Sequence, residues 1–128
     1  MTDLTEMTIA EARDALRTGE ITAAELTGAC LEAIDAADAL GAVAHKTPEL
    51  AMERAAAADT RLGAGDAPAM CGIPIGVKDL YCTEGVASQA ASGILDGFRP
   101  EYESTVTAQL RDSGAASPAR RHGLTTLP

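Results

Sequence analysis

Apolar positions recur at helical spacing through the first half of the chain. Leu26, Cys30, Ala33, Ile34 and Ala37 form an i, i+4, i+7, i+8, i+11 stripe, one face of an α-helix. Thr22-Ala23-Ala24-Glu25 stands in front of it as a capping box, and Ile21 and Leu26 are spaced as the matching hydrophobic staple. Thr8-Ile9-Ala10-Glu11 is an earlier box that opens a helix with Ile9, Ala12 and Leu16 on one face and Gly19 as its stop. Thr47-Pro48-Glu49 predicts a third helix, with proline at the first helical position, running to about Leu62 and ended by Gly63 and Gly65. Residues 1 to about 65 therefore read as helical throughout, and Glu53, Arg54 and Asp59 read as a solvated face of the third helix.

The period then changes. Gly63 to Pro68 is a polar linker, and residues 73–78, with Ile73, Ile75 and Val77, read as a short buried strand. A loop rich in small residues follows from Thr83 to Ser92. Ser104-Thr105 starts another helix, with Val106 and Leu110 expected inward and Gly114 at the C′ position. The segment from 116 to 128 breaks this pattern: it holds Arg120 and Arg121 with no acid, and Pro118 removes the donor a central strand would need. Residues 116–128 are thus expected to be an irregular, divergent tail. The abrupt change of character past Gly114 suggests a frameshift or a truncated reading frame; a basic tail in its own right is the rival.

A chain of 128 residues makes at most one domain with a modest core. Tyr81, Phe98 and Tyr102 are its only aromatic residues, and alanine supplies much of the apolar content, so the core should be shallow. The formal charge of −9 argues against nucleic-acid binding by this piece alone, because phosphate contacts need a basic face. Cys30, Cys71 and Cys82 form no Cys-x-x-Cys pair and read as reduced thiols; His45 and His122 lack metal-ligand spacing. The acidic opening, Met1 to Glu6, has no apolar core of a signal peptide, and no apolar run reaches membrane-spanning length, so a cytoplasmic protein with no membrane partner is expected.

The chemistry concentrates in Gly72-Ile73-Pro74-Ile75-Gly76-Val77-Lys78-Asp79. An ammonium at the end of an apolar strand either snorkels out or serves as a base, because burial penalises its charged form. This octapeptide closely resembles the lysine motif of the amidase signature family. The resemblance continues through Leu80 to Val86, Ala91 to Phe98 and Tyr102 to Val106, and runs to Leu110-Arg111-Asp112-Ser113-Gly114-Ala115. Within the family, the Cys82-Thr83-Glu84-Gly85-Val86 and Tyr102-Glu103-Ser104-Thr105-Val106 steps are most similar to the A-subunit branch that serves glutamyl- and aspartyl-tRNA amidotransfer. The opening helix from Met7 to Arg13 and the Glu25-Leu26-Thr27 step fit the same branch.

The resemblance implies an α/β fold: an N-terminal helical segment, then the first strand or strands and helix of an amidase-signature mixed sheet, incomplete in this chain. It assigns 1–115 to the N-terminal part of such a domain. It implies that Lys78 is the catalytic lysine, acting with two serines, one of which follows a cis peptide bond. The lysine deprotonates the bridging serine, which activates the other as nucleophile toward an amide carbonyl. No Gly-Gly-Ser-Ser-Gly-Gly-like run occurs in the sequence, so both serines are missing and the chain alone should be inactive. Ser88 and Ser92 lie in the loop after the motif; Ser92 matches a serine common in the branch but neither catalytic one, and it lacks the glycine-flanked turn of a nucleophile. Asp79 either orients the Lys78 loop by accepting backbone N–H bonds or belongs to a plain turn. Gly72 and Gly76 read as close-packing positions.

By resemblance the parent activity is glutamine hydrolysis, supplying ammonia to convert Glu-tRNA(Gln) to Gln-tRNA(Gln) with ATP and magnesium, alongside subunits B and C. Transfer RNA would be handled only through that complex, and no cofactor is expected in this chain. A stand-alone amidase fragment and a non-catalytic acidic helical binding module are the alternatives.

Overall fold

The structure, a computed structural model, describes residues 3–121, and for 116–121 the backbone alone. Its element order is α1 (Ile9–Thr18), α2 (Ala23–Ala36), β1 (Val43–Lys46), α3 (Pro48–Gly63), β2 (Pro74–Lys78), α4 (Thr105–Asp112) and β3 (Ala116–Arg121). Helix and strand mix as the α/β expectation requires, in one small open sheet.

Both predicted capping boxes form. Thr8 accepts from the Glu11 N–H while the Glu11 carboxylate accepts from the Thr8 N–H, and Thr22 and Glu25 repeat the exchange at α2. Gly19 ends α1 at φ +73°, a left-handed turn that glycine adopts without strain. Asp59, expected on a solvated face, instead reaches from α3 to the start of α2. Its two carboxylate oxygens accept from the Ala23 and Ala24 N–H groups at 2.6 and 3.2 Å. The free amides of a helix N-terminus and its positive dipole end explain why a carboxylate settles there.

The core sits where α1, α2 and α3 meet the approach to β2. Ala12, Leu16, Ala23, Leu26, Ala55, Ala58, Cys71 and Ile73 pack together, with Ile21, Leu62, Met70 and Ile75 against them. Its small side chains make it as shallow as the composition implies, and they let the helices approach closely. Ile9, expected inward, is exposed, and the α2 stripe is buried only at its start: Leu26 is covered, Ala33 and Ala37 are not.

Two expectations are corrected. The first 65 residues are not all helical, because β1 follows the left-handed Gly41 (φ +60°) and pairs antiparallel with β3. The tail is not irregular over 116–121: β3 is the middle strand, in the order β1-β3-β2, with β2 parallel to it. Pro118 is tolerated because the register slips there. Pro74 faces Ala116, yet Gly76 faces Ala119, so Ser117 and Pro118 fall in the irregularity; Ala119 is also the last partner of β1. A bulge is where a strand can do without a proline's N–H. The rest of the expected tail, 122–128, including His122, lies outside the described residues.

Candidate active-site lysine

Lys78 ends β2, whose other edge is unpaired among the described residues. Only Val77 is buried within the strand; Gly76 and Lys78 are exposed, and Ile75 is half-covered. The expected buried strand is therefore an edge strand, and the lysine projects into solvent. Strands on both sides are what would bury it, and β3 supplies one side only. No carboxylate among the described residues forms an ion pair with the Lys78 ammonium.

The chain around the lysine is held firmly. The Lys78 carbonyl accepts from the Tyr81 N–H at 3.1 Å, closing a tight turn. Asp79 is 4% exposed; its carboxylate accepts from the Gln89 N–H at 3.3 Å to either oxygen, and its carbonyl accepts from the Ala90 N–H at 3.1 Å. Of the two readings of Asp79, the orienting one describes this geometry. Ser92 accepts from the Ile94 N–H, capping a short 3-10 turn, and the buried Ser88 hydroxyl donates to the Val86 carbonyl, so both serines have local structural partners.

Further ties join this loop to the start of α4. Glu103 accepts from the Glu84 N–H at 2.8 Å, and Arg99 donates to the Gly85 carbonyl. Thr107 donates from Oγ1 to the Cys82 carbonyl at 3.0 Å, which draws Thr107 inward and leaves Val106 exposed, contrary to the sequence reading. Leu110 is half-buried. Burial lowers the Arg54 pKa from its ordinary value, and the nearby Glu103 charge works against that shift. Sequence reasoning passed over Glu103; an acid just before the N-cap Ser104 was the available signal. Cys82 donates to the Tyr102 hydroxyl at 3.5 Å, an interaction that raises the Tyr102 pKa.

The cysteines are unbridged, and burial raises the pKa of Cys30 and Cys71. His45 lies on β1 opposite Arg120. No set of three metal-ligating side chains occurs among the described residues, and no described helix is long and apolar enough to cross a membrane.

An exposed lysine ends a short strand here, with a buried aspartate behind it and a pinned loop beside it. Residues 25–120 match the amidase family, three-quarters of the chain, and the chain belongs to that family. The match runs past residue 115, beyond the end of the resemblance legible in the sequence. Curated relatives include the A subunit of glutamyl-tRNA(Gln) amidotransferase from Jannaschia sp. (strain CCS1), 70% identical over 115 residues, and that from Ruegeria sp. (strain TM1040), 65% identical over 115. Each alignment covers 90% of this chain and 23% of the relative, so the chain spans about a quarter of the length of the proteins it matches. Among solved structures, native peptide amidase from Stenotrophomonas maltophilia superposes with a TM-score of 0.84 at 31% identity, over 91% of this chain and 24% of that one. The same quarter of an amidase-signature fold is present in both.

Proposed function

We propose that this chain is the lysine-bearing N-terminal quarter of an amidotransferase A subunit, and that Lys78 is its catalytic base. The carrying observation is the 70% identity to the A subunit of a glutamyl-tRNA(Gln) amidotransferase, over a segment that contains Lys78 and its loop. In this reading the complete domain supplies the two serines and covers the open edge of β2. Lys78 takes the bridging serine's proton, and the nucleophilic serine attacks the side-chain amide of glutamine, releasing ammonia. The ammonia serves conversion of Glu-tRNA(Gln) to Gln-tRNA(Gln) with ATP and magnesium, in a complex with subunits B and C that also holds the tRNA. The acidic balance of this piece, −9 overall, is consistent with leaving the tRNA to other surfaces.

A lone lysine supplies neither an acyl-forming nucleophile nor an oxyanion site, so the 128-residue chain by itself hydrolyses no amide. The test is ammonia release from glutamine by the purified chain. A rate equal to the buffer blank is expected; steady release above it, lost on Lys78→Ala, would show a complete site within these residues and defeat the proposal.

A further inference from the structure

We propose that Asp79 is the positioning residue of the lysine site: its buried carboxylate holds a strained two-residue turn, Ala90-Ala91, against the strand end and so fixes the direction in which Lys78 leaves β2. The inference rests on the reading of Lys78 as the base, and its test is independent of that reading.

Ala90 and Ala91 sit at φ +49° and +56°, the two non-glycine residues with positive φ among those described. Two consecutive alanines in the left-handed region cost free energy that the surroundings must supply. Two sets of hydrogen bonds supply it: the Ser92 N–H to Gln89 carbonyl bond at 2.8 Å, which closes the turn, and the bonds to Asp79, which anchor it. The Asp79 side chain accepts from the N–H of Gln89, immediately before the pair, and its carbonyl accepts from the N–H of Ala90 itself. A carboxylate that is 4% exposed must find donors, because an unmet buried acceptor is costly. The Gln89 amide meets it at the residue that opens the turn, and so ties the turn to the strand end. The loop is tied once more where the Gln89 side chain donates to Asp96 at 2.8 Å.

The consequence falls on Lys78 through one peptide bond. Asp79 is anchored on its far side by Gln89 and Ala90, and Lys78 is closed into the turn to Tyr81, so the lysine backbone is fixed from both directions. Strand pairing of Lys78 with Arg121 gives the third constraint. A base that must meet a serine from another segment gains from such preorganisation.

The test is amide exchange and torsion-sensitive NMR on the 128-residue chain with Asp79→Ala, Asp79→Asn and Ala91→Gly, alone and combined. In the unaltered chain the Gln89 and Ala90 amides are protected, and both alanines carry the positive-φ signature. Asp79→Ala should speed Gln89 exchange by about tenfold or more, abolish that signature and broaden the Lys78 amide signal. Asp79→Asn keeps one acceptor and should restore the signature and the sharp Lys78 signal. Ala91→Gly relieves the strain and should slow Ala90 exchange by about threefold to tenfold, but only where Asp79 is intact. The proposal is overturned by an unprotected Gln89 amide in the unaltered chain, by a positive-φ signature that survives Asp79→Ala, or by an equal Ala91→Gly effect in both backgrounds. No readout involves hydrolysis, so a failure of Lys78 as the base would leave this result standing, and the reverse holds too.

Discussion

Gly72 and Gly114 meet where the core joins the sheet. The Gly72 N–H donates to the Gly114 carbonyl at 3.0 Å, and both residues lie at positive φ, +80° and +86°. A Cβ on Gly114 would come within 2.8 Å of the Cys71 Cα, and one on Gly72 within 2.8 Å of the Ala23 Cβ. Gly85 has a similar φ of +73° but open space around it. Gly114→Ala should therefore cost more than Gly85→Ala, by about 1–3 kcal/mol beyond the shared backbone strain, because the backbone at Cys71 must shift. Comparing the two variants by urea unfolding checks this; equal losses would mean the contact at Cys71 carries no weight. The sequence placed Gly114 correctly at a helix C′ position because that signal is local. It marked Gly72 as a close-packing residue, which the approach to Ala23 bears out. Asp59 was illegible for the opposite reason: its partners, Ala23 and Ala24, lie on another helix far back in the chain.

At the scale of elements, the two capping boxes lend α1 and α2 an acid sensitivity. Hydrogen bonds from Thr8 and Thr22 lower the Glu11 and Glu25 pKa values below their ordinary 4.5. Since the folded values are depressed, the stabilisation is present above pH 4.5 and is lost as pH falls through the lower folded values. Helical signal should fade on acidification below that point, and the double variant Glu11→Gln, Glu25→Gln should flatten this part of the titration, as read by circular dichroism. An unchanged acid profile in the double variant would remove the boxes as its source. Helix starts were legible because a capping box and its apolar stripe lie within a dozen residues. Strands β1 and β3 were not. The four residues of β1 carry no alternation to mark them, and β3 is made a strand by pairing with two partners distant in sequence. Pro118 reads as a breaker in the sequence because the bulge that accommodates it is set by those distant partners.

The whole molecule has a small core and a good deal of exposed apolar surface among its described residues. Core residues gather between α1, α2 and α3, whereas Leu80, Ile94, Phe98, Tyr102 and Val106 are exposed in the segment after β2, a strand whose outer edge has no partner among the described residues. Exposed apolar surface next to a free edge invites association. The isolated chain should sediment with a weight that rises with concentration, and amides in α1 to α3 should be better protected than those in α4. A sharp, cooperative monomer at all concentrations would contradict this and favour a self-sufficient binding module. The fold class was legible from a contiguous motif, which also marks Lys78 as the candidate base. That Lys78 stands exposed on an edge strand was not, because burial depends on neighbours that a motif does not name.

The most direct measurement joins this chain to a complete domain. Residues 1–115 would replace the corresponding quarter of the Jannaschia relative, which is 70% identical over 115 residues, and the chimera would be assembled with its partner subunits. Ammonia release from glutamine is then assayed with Lys78 and with Lys78→Ala, the fold of each being checked by circular dichroism. The account predicts an active chimera and a loss of at least about 10³-fold on Lys78→Ala with the fold retained. A folded Lys78→Ala chimera that keeps most of its activity would remove Lys78 from the chemistry.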